Sequence, residues 1–203
     1  MKFKEELIII RHARSQHNAG VSQNLDSEIT GFGKLQAEAL AEFMSKKMQL
    51  YSFEFQTSPF LRCLQTATPI AKKLNVKFKV NTVWHEYLNH SKGPVTIPNR
   101  SETFQEHFNW CNLQQDNYTF NDEFNEDFID RIHSGYLALP EKSVVVTHGL
   151  PAFMLLKVAI GNLQSVPIWD YSLDNCSITK IVGGRVIWQG RGIPAEGLIS
   201  EDL

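Results

Sequence analysis

Residues 7–12, Leu-Ile-Ile-Ile-Arg-His, drive an unbroken apolar run into an Arg-His pair, and residues 144–149, Val-Val-Val-Thr-His-Gly, repeat that design far downstream. Apolar runs of this length without alternation predict strands buried on both faces, each followed by a histidine. Between them the pattern changes period. Residues 13–29 are polar and loop-like until Thr30-Gly31, which opens a helix with Leu40, Phe43, Met44 and Met48 on one face. Phe53, Phe55 and Thr57 alternate as a strand does. Ser58-Pro59 then supplies an N-cap and an N1 proline, so a second helix is expected to begin there with Arg62 in its first turn.

Val76, Phe78 and Val80 alternate with lysines and predict a short, half-exposed strand. Residues 84–118 lose regular periodicity apart from a helix expected near 100–113, opened by Asn99 with Glu102 three residues on and carrying Phe104, Phe108 and Cys111. This stretch is too aromatic for a linker and reads as an insertion packed over the strand ends, a lid or specificity segment. Thr119 and Asp122 have capping-box spacing. Phe120, Phe124 and Phe128 then form a four-residue stripe on an acidic helix near 122–132, read as core packing in preference to a partner surface. A helix begins near Pro151, and Gly183-Gly184 between apolar segments predicts a two-residue hairpin turn within 178–189.

Composition narrows the class. A chain of 203 residues that is 42% hydrophobic can bury one substantial core, so a single domain over 1–203 is expected. A net charge of −2 without a basic block argues against nucleic acid as the main partner, and any positive field must be local. Cys63, Cys111 and Cys176 are odd in number and far apart, with no CxxC pair, and read as reduced thiols. No signal-peptide stretch or membrane-length apolar run is present, so a cytoplasmic protein without a membrane partner is expected. Oligomeric state is left open.

The two strand-end histidines carry the chemistry. The carboxyl ends of strands in open α/β sheets are where ligands sit. If these strands are neighbours, His12 and His148 face one another with Arg11 alongside. Arg62, at a helix start where free N–H groups already favour anions, joins them. Such a pocket suits an oxyanion such as phosphate. Other chemistries fit less well. His85-Glu86 with His90 lacks the i, i+4 spacing of a zinc-binding helix, since positions five apart lie about 140° around a helix. His17, His107 and His133 have no ligand-like partners. Gly31-Phe32-Gly33-Lys34 lacks the glycine spacing of a phosphate-binding P-loop.

These motifs together resemble the histidine phosphatase superfamily, branch one, also called phosphoglycerate mutase-like. Arg11-His12 with Ser15 and Asn18 is similar to the family's Arg-His-Gly-Glu-Ser-x-x-Asn opening. Ile29-Thr30-x-x-Gly33-x-x-Gln36-Ala37 and Ser58-Pro59-x-x-Arg62-x-x-Gln65-Thr66-Ala67 resemble its next two motifs. His148-Gly149 and Asn175-Cys176-Ser177 complete the order. The resemblance implies a three-layer α/β/α sandwich with a mostly parallel sheet. It also implies a nucleophile at His12 that becomes a phosphohistidine, and phosphate binding by Arg11, Asn18, Arg62, His148 and Gly149. Glu86 resembles the family's proton donor, with Glu28 and Glu102 as weaker candidates. Two guanidiniums and an imidazolium would compensate the phosphoryl charge, so neither a metal nor any other cofactor is expected.

The chain departs from the family at Ala13, where glycine is usual, and at Arg14, where mutase-type members carry glutamate. Ala13 would cost on the order of 1 kcal/mol if its position required positive φ. Arg14 offers a further cation near the mouth. The adjacent paired arginines of glycolytic mutases are missing from the region after Glu86, where Lys92 and Arg100 are the only basic residues of the 84–118 stretch. The expectation is therefore a phosphatase acting on a small phosphorylated molecule or a phosphoprotein. The alternatives are mutase-type phosphoryl transfer and a catalytically weak module that binds phosphorylated ligands.

Overall fold

The computed structural model describes residues 2–88, 94–110, 116–162 and 173–189; His90, Lys92 and Cys111 lie outside them. Nine strands occur among these residues: β1 (Glu6–Arg11), β2 (Glu54–Thr57), β3 (Phe78–Val80), β4 (Val95–Pro98), β5 (Phe108–Asn109), β6 (Asn117–Phe120), β7 (Lys142–Thr147), β8 (Ile178–Val182) and β9 (Arg185–Gln189). The helices are α1 (Gly31–Lys47), α2 (Leu61–Leu74), α3 (Ser101–Phe104), α4 (Asn125–Ala138) and α5 (Gly149–Ala159). None is long and apolar enough to cross a membrane.

Seven strands form the central sheet in the order β5-β3-β2-β7-β1-β8-β9. Every pairing from β5 to β1 is parallel, and β8 and β9 are antiparallel additions. The unbroken apolar run of β1 serves two cores at once. Ile8 and Ile10 face α1 and α2, whereas Leu7 and Ile9 face α4 and α5. All four are at most 1% exposed, and each contributes roughly 1.5–3 kcal/mol by burial. The result is the three-layer sandwich with a mostly parallel sheet.

Local chemistry explains most boundaries. Thr30 caps α1, its hydroxyl accepting the Gly33 N–H at 3.0 Å. Gly183 and Gly184, at φ +53° and +78°, form the two-residue turn between β8 and β9. Ala13 is not among the residues at positive φ, so it carries no left-handed strain.

Three expectations fail. Ser58 does not cap α2, which begins at Leu61; the Asp26 carboxylate, distant in sequence, accepts the Leu61 N–H at 2.8 Å. The helix expected over 100–113 lasts only through Ser101–Phe104, because Phe108 joins β3 as an edge strand beside Phe78. Thr119 caps nothing: it lies in β6, and α4 starts at Asn125. The phenylalanine stripe therefore divides. Phe128 enters the core under α4, Phe120 packs on Phe60, and Phe124 is 82% exposed. The period-two alternation of Asn117-Tyr118-Thr119-Phe120 outweighs the four-residue spacing, since it lets Tyr118 and Phe120 pack with Ile97 of the antiparallel partner β4.

Gly33 joins this scaffold to the loop after β1. A Cβ there would lie 2.3 Å from the Arg14 carbonyl, which itself accepts the Thr30 N–H at 2.8 Å. Gly33→Ala is expected to destabilise the protein by about 1–3 kcal/mol, read as a lowered urea midpoint with unchanged far-UV circular dichroism.

Candidate active site

The site forms where β1, β2 and β7 end together. Arg11 stands opposite Thr147 in the parallel β1–β7 ladder, so His12 and His148 leave adjacent strands at the same level. Their rings meet edge to face with centroids 5.3 Å apart. Both are buried, at 1% and 0% exposed.

The hydrogen bonds of His12 define its tautomer. Nδ1 lies 2.7 Å from the Ala13 carbonyl, which can only accept, and Nε2 receives the Arg62 Nε–H at 3.1 Å. His12 is therefore the neutral Nδ1–H form, with its lone pair on Nε2. Its backbone is held from the other side of the sheet. The Cys176 N–H and the Asn175 side-chain amide both donate to the His12 carbonyl at 3.1 Å. The Ala13 N–H goes to Thr66 Oγ and the Arg14 N–H to Gln36 Oε1, each at 3.0 Å.

Arg62 enters from the first turn of α2 and is 3% exposed. Besides His12, it donates to the Leu25 carbonyl and pairs through Nη2 with Glu86 Oε2 at 3.3 Å. Glu86 follows a 3-10 turn at Thr82–Trp84 that is fixed on several sides. Gln56 of β2 accepts from Trp84 Nε1 at 2.8 Å, Thr147 Oγ donates to the Trp84 carbonyl at 2.7 Å, and Arg131 of α4 donates to the Val83 and His85 carbonyls. Glu86 Oε2 also lies 3.5 Å from His148 Nδ1.

Arg11 donates to the Leu173 carbonyl, yet its buried Nε has no hydrogen-bond partner among the described residues. Gly149, the first residue of α5, sits against this guanidinium: a Cβ there would be 3.4 Å from Arg11 Cζ. Asn18 is more exposed. Its Oδ1 accepts from Ser15 Oγ at 3.0 Å and from Asn175 Nδ2 at 3.1 Å, and its amide N–H groups have no hydrogen-bond partner among the described residues. The structure thus brings Arg11, His12, Arg62, Glu86, His148 and Gly149 together and ties Asn18 to them. Glu28 and Glu102 are exposed and pair with none of these residues.

Electrostatics favour the neutral form of His148. Burial, and then the charge of Arg62, hold its pKa well below the ordinary histidine value. The same two causes, in the same order, with Arg11 adding to them, keep His12 neutral. The fixed positive charge therefore comes from the two guanidiniums, with two neutral imidazoles between them. His12, Glu86 and His148 could also offer one ligand atom each to a metal, the three lying within 4.8 Å of one another. Two features oppose that use: Arg62 already occupies the His12 lone pair and the Glu86 carboxylate, and two guanidiniums border the trio. The donor set with its unpartnered Arg11 Nε suits an anion better than a dication.

The sequence profile of the Histidine phosphatase superfamily (branch 1) matches residues 7–191. The chain belongs to this superfamily. Solved structures of similar fold include a mycobacterial glucosyl-3-phosphoglycerate phosphatase (21% identity, TM-score 0.54, 87% of this chain and 89% of that one). Others are the ecdysone phosphate phosphatase of Bombix mori in complex with tungstate (14%, 0.64, 91% and 92%) and a phosphoserine phosphatase of Entamoeba histolytica with 3-phosphoglyceric acid (19%, 0.58, 91% and 96%). No curated protein sequence matches the chain.

Several residues that border this cluster are not among the candidate site residues of the sequence. Ser58 Oγ lies 2.8 Å from His148 Nε2, which is where the misread N-cap directs its hydroxyl. The Cys63 sulfur is 3.6 Å from the same nitrogen, and burial pushes its thiol pKa up, so it is packing and not a nucleophile. Phe60 stacks edge-on against His148 and lies under the Arg62 guanidinium. Cys176 holds its place at φ +62°.

His12, His148 and His85, the last pushed down to about 3 by burial and Arg131, all stay neutral in the folded protein. Unfolding below pH about 6.5 lets each take up a proton, so their contribution to stability is complete above that pH and is lost on acidification. Urea denaturation from pH 7 to 5 should show stability falling by up to about 1.4 kcal/mol per pH unit for each histidine. His85→Phe should reduce that slope.

Proposed function

We propose that this chain hydrolyses phosphate monoesters without a metal or other cofactor, through a phosphohistidine on His12. The observation that carries the reading is the tautomer of His12, whose buried lone pair on Nε2 faces Arg62 within a cluster that also contains Arg11, Glu86 and His148. A substrate phosphate competes for the groups that now hold the site closed. It takes Arg62 from His12 and Glu86, meets the free Nε of Arg11, and is steadied by His148, Asn18 and the Gly149 end of α5.

The proposed reaction runs in two steps. His12 Nε2 attacks phosphorus as the ester P–O bond breaks, and Glu86 delivers a proton to the leaving oxygen. Glu86 next takes a proton from water, which attacks the phosphohistidine. The P–N bond breaks and inorganic phosphate leaves. The guanidiniums offset the charge spread over the equatorial oxygens.

One feature favours hydrolysis over mutase chemistry. A mutase must hold a second phosphate, and Arg100, one of the two Lys/Arg residues of the 84–118 segment, is already paired with Asp26 at 2.6 Å. The names of the similar proteins, which speak of glucosyl-3-phosphoglycerate, ecdysone phosphate and phosphoserine, share only the phosphate ester. That ester is the part of a substrate this pocket would hold, in a small molecule or a phosphoprotein. The leaving group then meets the 84–118 segment, whose strands β4 and β6 pack on Phe60 and Leu88 beside Glu86.

Phosphate release from a chromogenic aryl phosphate in the presence of a chelator tests the reading. Wild type should turn over, and His12→Ala should not; equal activity of the two, or loss of activity in chelator, overturns it. Arg62→Ala should cost about 3–4 kcal/mol in kcat/KM, as removal of an oxyanion donor does. Glu86→Gln should slow poorly activated alkyl phosphates far more than aryl phosphates, and a uniform loss would remove Glu86 from the proton-donor role.

A further inference from the structure

The Asp26–Arg100 ion pair lies outside the cluster around His12, and its side chains are only 6% and 16% exposed. Asp26 is nevertheless bound to the phosphate end of the molecule. One carboxylate oxygen accepts the N–H of Leu61, the first residue of α2, and the preceding residue, Leu25, accepts a hydrogen bond from Arg62. A negative charge therefore sits at the positive pole of the helix that carries the central cation of the site. The other oxygen takes Arg100 Nη2 at 2.6 Å, and Arg100 comes from the 84–118 segment, directly before α3.

We propose that Arg100 is a positioning residue for phosphate binding that acts through Asp26. It cancels the carboxylate's charge, so the start of α2 and Arg62 present their full positive potential to the substrate. It also fixes the Leu25–Asp26 loop that aims the Arg62 guanidinium. The pairing links the segment facing the leaving group to the groups facing the phosphate, so a substrate that displaces Arg100 weakens its own phosphate contacts. Arg100 touches neither the phosphate nor His12.

The inference rests on the phosphatase reading, and the experiment separates the two. Binding of inorganic phosphate by calorimetry, together with KM and kcat on an aryl phosphate, is measured for wild type and four variants. Arg100→Met exposes Asp26 without its cation and should weaken phosphate binding about tenfold or more, raising KM more than it lowers kcat. Adding Asp26→Asn should restore binding, because the amide oxygen still accepts from the Leu61 N–H but carries no charge. Asp26→Asn alone should bind phosphate more tightly than wild type, and Arg100→Lys should lie between wild type and Arg100→Met. Wild-type affinity in Arg100→Met overturns the proposal, as does a double variant no better than Arg100→Met. If Arg100→Met does not fold, the Asp26→Asn and Arg100→Lys results decide, and affinity equal to wild type in both overturns it. A wild-type protein that neither binds inorganic phosphate nor releases it from esters sinks the phosphatase reading itself, whereas normal wild-type behaviour with an indifferent Arg100 sinks only this inference.

Discussion

The register of the parallel pairing between β1 and β7 is the constraint on which the site depends. With Arg11 opposite Thr147, both strands leave the sheet at one level and deliver a histidine each into the same space. Side chains alternate faces along a strand, so a slip of one residue would turn Ile8 and Ile10 to the wrong core and move His12 away from Arg62. The apolar run that makes β1 a good central strand is thus also what sets the position of the nucleophile proposed here. Folding energy and site geometry are fixed by the same residues.

Burial has a second effect, on charge. The cores that close on the sheet exclude water from the strand ends, and exclusion of water removes protons from imidazoles sooner than from guanidiniums. The site therefore sorts its bases by type: Arg11 and Arg62 keep fixed charge, while His12 and His148 keep lone pairs. A phosphoryl-transfer site needs both properties within a few ångströms. Here the difference between the two side-chain types in the same dry environment supplies them.

The sequence was informative where one local pattern met no competition. The strand-end histidines, the helix start at Thr30-Gly31 and the two-glycine hairpin turn all appear as read, and Arg62 does lie in the first turn of α2. The reading went astray where a distant partner displaced a local one. Ser58 has the type and place of an N-cap, but His148 takes its hydroxyl and Asp26 takes over the helix start. Phe108 and Thr119 fit helix patterns locally, yet each belongs to a strand because another strand stands ready beside it. The place of Glu86 is hard to read locally: the adjacent Tyr87 N–H donates to its carboxylate, but the turn before it is fixed by Gln56, Thr147 and Arg131 from three other elements. The charge state of His148 was equally hidden, since burial is a property of the fold and not of the motif.

The hydrogen bond from Arg62 to His12 Nε2 has one more consequence. A bare imidazole lone pair would be an indiscriminate reagent, open to alkylation and to acylation by whatever electrophile reaches it. In the resting protein that electron pair is masked by a cation that only a stronger anion can draw off. Under the proposed chemistry, selectivity begins before any leaving group is inspected: uncharged electrophiles meet a blocked nitrogen, and the ligand that unmasks it is the one it is built to attack.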